Sequence, residues 1–131
     1  MSGFIGPLSA APAGSTGNNT HASVKASPAA NKTALSVIVE AVGGTPTLTY
    51  KWQGSMDPDA IADASAQWQD LALLPAGSDT VTAAPAAVTA VGVATLFLAQ
   101  SATRFFRRYR LVTSLNTNVT YRGEIHQQYT N

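Results

Sequence analysis

The sequence of 131 residues contains no cysteine, which excludes disulfides, thiolate metal sites and a cysteine nucleophile. Histidine is nearly absent: His21 and His126 stand far apart in different contexts, so the usual Cys/His zinc spacings have no members here. Charge is scarce too, at 11% of residues with a formal net of +1, too little for a protein whose main work is coating nucleic acid. No apolar run approaches the ~20 residues that span a bilayer, and Met1 to Ala11 lacks the basic start of a secretory signal. A soluble, uncleaved product is therefore expected. No serine sits in a G-x-S-x-G elbow and no glycine-rich phosphate loop is present, so neither hydrolase nor nucleotide chemistry is expected.

What is there is small and apolar. The hydrophobic fraction of 45% is inflated by 23 alanines, and larger apolar side chains are sparse before position 34. One modest core is within reach of the remainder. Residues 1–32, written mostly in Gly, Ala, Ser, Pro, Asn and Thr, read as a flexible or extended N-terminal arm. Phe4, Ile5 and Leu8 form its bulky cluster. A neighbouring subunit is the simplest agent to order such an arm, with those three side chains as its partner-binding residues.

From residue 33 the pattern turns to period two. Leu35, Val37, Val39 and Ala41 share one face of a strand and Ser36 and Glu40 the other, which Ile38 and Val42 spoil, suggesting cover on both sides. Gly43-Gly44-Thr45-Pro46 has turn chemistry and precedes alternating Leu48, Tyr50 and Trp52, predicting a hairpin. Asp57-Pro58 can cap a short helix through Ala60 to Ala66, and Trp68 to Leu74 reads as a strand. Asp79 to Thr82 is a further short strand candidate. Val91 to Ala99, with Val91, Val93 and Phe97 opposite Leu96 and Leu98, is the candidate for a strand buried on both faces. Two clear strands close the chain, one through Tyr109 and Leu111 and one through Val119, Tyr121 and Ile125, with a turn expected at Leu115-Asn116-Thr117-Asn118. Six to eight short strands with turns between them predict an all-β domain over residues 33–131, an antiparallel β-sandwich of immunoglobulin-like or jelly-roll type.

Gln53-Gly54-Ser55-Met56-Asp57, followed by Trp68-Gln69-Asp70-Leu71, resembles a pattern of small β-sandwich structural proteins of tailed-phage virions. In those proteins a strand runs into a Gln-x-Ser-x-Asp turn and a Trp-x-Asp-Leu strand follows. Ala102-Thr103-Arg104-Phe105-Phe106-Arg107 with the alternating strand to Thr113 is similar to a later segment of theirs, and the likeness spans residues 34–128. This chain departs from the pattern by inserting Pro58 to Gln67 where the family has a short turn. The resemblance implies a non-enzymatic virion protein made in the host cytoplasm: a capsid decoration (cement) protein on the head surface. Its partners would be the major capsid protein and copies of itself, in a homo-oligomer for which a trimer is the expected number. A minor tail or fibre component is the alternative within the class, and a carbohydrate-binding module the alternative outside it.

The charges are placed unevenly. Residues 52–103 carry five Asp and neither Lys nor Arg, whereas residues 104–131 carry five Arg and one Glu. Arg104, Arg107, Arg108 and Arg110 offer a basic strand to an acidic partner surface; nucleic acid is the less expected partner, given the low net charge. The competing reading is a face that pairs internally with the Asp-rich half. Asp57, Asp59 and Asp63 could present oxygens to calcium but lack the other positions of an EF-hand loop, so capping explains them more simply and no metal or cofactor is expected. Tyr50 and Trp52 read as core; Trp68 is open between core and a sugar-stacking platform. Three Asn-x-Thr/Ser triplets, at Asn18, Asn31 and Asn118, carry no weight in so Thr-rich a chain.

Overall fold

A computed structural model describes residues 3–27, 29–71, 73–75, 87–98 and 106–130. Among the described residues there are seven strands and no helix: β1 (Gly3–Ser15), β2 (Val24–Lys25), β3 (Lys32–Ser55), β4 (Gln69–Asp70), β5 (Leu73–Pro75), β6 (Gly92–Leu98) and β7 (Arg108–Tyr129). All pairings are antiparallel, in the order β1-β7-β3-β6-β5, with β2 added to β7 and β4 to β3. The protein is thus all-β, one antiparallel sheet that curls on itself.

The spine is the β3–β7 ribbon, running from Lys32↔Gln128 to Ser55↔Arg108. Neither expected hairpin forms. Both halves of β3 pair with β7, so Gly43-Gly44-Thr45-Pro46 is an outward bulge between Val42↔Val119 and Thr47↔Thr117. Opposite it, the stretch expected to reverse β7 only bends it. Gly44 and Asn118 both take left-handed backbone angles, φ 54° and 55°, the local demand a turn residue meets. Asn116 ties off the corner, its side chain donating to the Val119 carbonyl at 3.0 Å and accepting from the Val119 amide at 3.1 Å. The bend brings Thr113 Oγ1 within 3.2 Å of the Tyr121 hydroxyl, residues that ~3.3 Å per residue would hold far apart on a straight strand.

Because the ribbon bends, one face of both halves lines one core. Leu35, Val37, Val39, Leu48, Tyr50 and Trp52 of β3 meet Tyr109, Leu111, Val119, Tyr121 and Ile125 of β7, with Leu71 just after β4 and with Leu73, Leu96 and Leu98 from β5 and β6. The extra residues of the bulge explain why the buried positions of β3 change from odd to even across it. Burial of tyrosine in this core raises the hydroxyl pKa of Tyr50 to about 12. Tyr109 is likewise raised by burial to about 12, against a smaller lowering by its hydrogen bond with Thr33.

Residues 3–15 of the stretch read as an arm are extended and lie along β7 of the same chain, as an edge strand. After it the chain crosses to the other half of β7, where Thr20 bridges Val112 and Val24 pairs with Tyr109. Three expectations are corrected. Ala60 to Ala66 is not a helix; it holds single turns, Ile61 N to Pro58 O and Ala66 N to Ala62 O, because its acidic residues are engaged by distant segments and a two-turn helix without a packed face is marginal. Trp68 to Leu74 is interrupted, β4 pairing with β3 and β5 with β6. In β6, Leu96 and Leu98 face the core, but Val93 is 66% exposed and Phe97 46%, so among the described residues that strand is covered on one side alone. The strand expected over Asp79 to Thr82 lies outside the described residues.

Candidate functional site

The two halves of the Gln53–Asp57 and Trp68–Leu71 motif lie side by side. Gln53 pairs with Asp70 and Gly54 with Gln69 in the β3–β4 ladder, and the Gln53 side-chain amide donates to Asp70 Oδ1 at 2.8 Å. Gln53, through its carbonyl oxygen, also accepts from Arg110 Nε at 2.8 Å. The Asp70 carboxyl is held below the ordinary carboxylate value, first by that Gln53 hydrogen bond and then by Lys51 at 3.2 Å, against the opposing effect of burial.

Between the motif halves, residues 56–68 form a closed loop over the outer side of β7. Asp57 fastens its base by accepting from the Gln67 amide at 2.6 Å. Asp63 fastens its middle: it accepts from the Ser23 amide (2.9 Å) and hydroxyl (2.7 Å) and from Arg108 (3.0 Å). Arg108 also donates to the Pro58 carbonyl at 3.2 Å. Burial by itself raises the Asp63 pKa, but the two Ser23 hydrogen bonds with the charges of Arg108 and Arg110 outweigh it and leave the carboxyl below its ordinary value. Trp68 lies under Arg110, whose guanidinium carbon is 4.0 Å from the ring centroid, and donates its indole N–H to the Asp63 carbonyl at 2.9 Å.

The basic cluster is therefore divided. Arg108 is buried and engaged with Asp63, Arg110 with Gln53 and Trp68, and Arg107 is exposed. Arg104 lies outside the described residues. The three aspartates of the inserted loop do not converge: Asp57 holds Gln67, Asp59 meets Lys25 at 2.6 Å, and Asp63 holds Ser23 and Arg108. Among the described residues no three His, Asp or Glu side chains group as a metal site. Tyr50 and Trp52 are core, and one face of Trp68 is taken by Arg110, so the aromatics do not form a shared open platform.

The arm trio is divided as well. Leu8 packs against the protein's own core, Ile5 is half-buried, and Phe4 projects from the opposite side of the sheet, 83% exposed. There Phe4 and Phe97 flank a shallow groove of about 220 Å³ with Ala34 and His126 along it. Next to it, Arg122 bridges Glu124 (3.1 Å) and Glu40 (3.4 Å), and His126 contacts Glu124 (3.2 Å). Sequence reasoning missed two things here. One is the role of Asp63 as the joint of three segments: its spacing from Asp57 and Asp59 reads as capping, and nothing local points to Ser23 or Arg108 as its partners. The other is the open apolar face of β6, whose residues were legible but whose lack of cover was not.

No family model, no curated protein and no solved structure matches the chain.

Proposed function

We propose that this chain is a non-enzymatic structural protein of a phage virion, a decoration (cement) protein that binds the outside of a capsid and stabilises it, its domain built as a small β-sandwich. The observation that carries the reading is the Gln53–Asp70 contact: the two separated sequence pieces that resemble small virion proteins are hydrogen-bonded neighbours in one structural unit. The inserted loop, the departure from that pattern, is fastened down over β7 through Asp57 and Asp63 and leaves that unit intact. The charged side chains of this region hold strands and loop together, which suits a scaffold. Arg107 is the member of the basic cluster left open, among the described residues, to an acidic capsid surface. The edge strand β1 is the segment that would anchor on the shell, through Phe4, which is exposed, with Ile5 and Leu8 beside it.

The test is sedimentation of the purified protein with candidate phage shells stripped of their decoration. Co-sedimentation at a saturating, symmetry-related stoichiometry is expected. Protein that stays in the supernatant with every such shell overturns the reading.

A further inference from the structure

We propose that the loop of residues 56–68 is an autoinhibitory strap: its Asp59 and Asp63 occupy, from within the chain, a site built by Ser23, Lys25 and Arg108 that takes the carboxylates of an acidic protein partner when the strap swings off β7. The inference deepens the decoration reading and rests on the acidic partner surface named there.

The site already works as a carboxylate receptor. Three donors converge on Asp63: the Ser23 amide at 2.9 Å, the Ser23 hydroxyl at 2.7 Å and Arg108 Nη1 at 3.0 Å. Four positions earlier in the strap, Asp59 meets Lys25 Nζ at 2.6 Å. Its carboxyl is held below the ordinary value first by that Lys25 hydrogen bond and then, against burial, by the charges of Lys25, Arg107 and Arg108. The resident ligands are single carboxylates spaced along a chain, so the occupant of matching chemistry is an acidic polypeptide segment.

The strap is built to open. Among the described residues none of its apolar side chains joins the core, and Met56 and Ile61 are exposed. Apart from the Trp68–Arg110 stack at its end, it is held by hydrogen bonds and ion pairs, which other anions can compete for. The Lys25–Asp59 bridge lies in solvent, and beside it a cleft of about 320 Å³, lined by Ser23, Lys25, Asp59 and Arg108, gives an entering acid access.

Closure also leaves Arg108 incompletely satisfied. Its side chain is 7% exposed; Nη1 is on Asp63 and Nη2 on the Pro58 carbonyl, while the buried Nε has no hydrogen-bond partner among the described residues. A carboxylate laid along the Nε–Nη2 edge would accept two parallel hydrogen bonds, where the strap supplies one carbonyl oxygen. A donor orphaned in the closed state lowers the cost of leaving it. Once open, Lys25 and Arg108 join the exposed Arg107 on one basic surface.

The experiment is titration of the full chain with hexaglutamate at low salt, followed by calorimetry and by Trp68 fluorescence, since the Trp68 indole is bonded to the Asp63 carbonyl. Wild type is expected to bind weakly and saturably. The double variant Asp59→Asn with Asp63→Asn, which removes the resident carboxylates, is expected to bind at least ~10-fold tighter, because the site no longer has to be vacated. Adding Lys25→Ala to it should abolish that gain. The double variant Lys51→Ala with Asp70→Asn, on an ion pair away from the strap, should bind as wild type does. Should the Asp59/Asp63 variant fail to fold by circular dichroism, Asp59→Asn alone, at the exposed bridge, should give a smaller gain of the same sign. No gain on removing the carboxylates, or a gain that survives Lys25→Ala, overturns the inference. With no shell present, this outcome stands apart from co-sedimentation: protein that ignores every shell but shows the gain sinks the capsid reading alone, and protein that decorates a shell without it sinks the strap alone.

Discussion

Leu111 and Gly123 touch across the interior although twelve positions of the same strand separate them: a methyl group built on Gly123 would lie 2.9 Å from Leu111 Cδ2. At ~3.3 Å per residue a straight strand would place them about 40 Å apart. The contact exists because β7 bends at Asn116–Asn118 and lays one half over the other. Ala11 of β1 lies against the same point, 3.3 Å from that methyl position, so the gap is closed from both sides. Gly123→Val should therefore cost about 1–3 kcal/mol through overpacking. Chemical denaturation checks it, and Leu111→Ala in the same chain should recover part of the loss, since the two changes share one space.

Arg108→Ala should destabilise by roughly 2–3 kcal/mol, since it leaves Asp63 and the Pro58 carbonyl without their buried partner. Arg107→Ala, in an exposed neighbour, should change stability by less than ~0.5 kcal/mol. Equal losses from the two would mean that the loop is not held by Arg108. Unfolding midpoints of both variants decide it.

The Asp63 and Asp70 carboxyls are depressed in the folded protein, so the stability they contribute is present above the ordinary carboxylate pKa and is lost as pH falls through the depressed values. The loop over β7 should loosen below about pH 4. Trp68, stacked on Arg110 and bonded to Asp63, is the built-in reporter. Its fluorescence should change in that window, and in Asp63→Asn the Asp63 part of the pH dependence should vanish.

Tyr50 and Tyr109 behave in the opposite sense. Their pKa values are raised to about 12 by burial, so the stability they contribute is full below the ordinary tyrosine value and is lost as pH rises above it. Between pH 10 and about 12 these two phenols should ionise only together with unfolding. Tyrosinate absorbance and circular dichroism followed side by side test this; two tyrosines that ionise while the spectrum stays native would contradict it.

Trp52 is fully buried, and its indole N–H has no hydrogen-bond partner among the described residues. Trp52→Phe removes that unsatisfied donor along with one ring, and should cost clearly less than Trp52→Ala, for which ~3–5 kcal/mol is the usual loss. Denaturation of the two variants gives the difference.

The sequence by itself determined the β character of this chain and most of its core. Period-two alternation is a local property of the backbone, so Leu35, Val37, Val39, Leu48, Tyr50, Trp52, Tyr109, Leu111, Val119, Tyr121 and Ile125 could be assigned to buried faces without knowing what they pack against. What each turn signal does was decided only in the tertiary structure. Gly43 to Pro46 and Leu115 to Asn118 offer left-handed angles and a break in the ladder, and these serve a hairpin and a bulged corner equally well; the choice depends on which strands bury most surface together. The same holds for the arginines. Four in seven residues are visible in the sequence, but that Arg108 would be buried against Asp63 while Arg107 stayed in solvent follows from a loop brought across β7 from 45 residues away. Alternation says which side of a strand a residue faces. Whether anything covers that side is a long-range fact, and Val93 and Phe97, apolar and open, lie where the local signal ends.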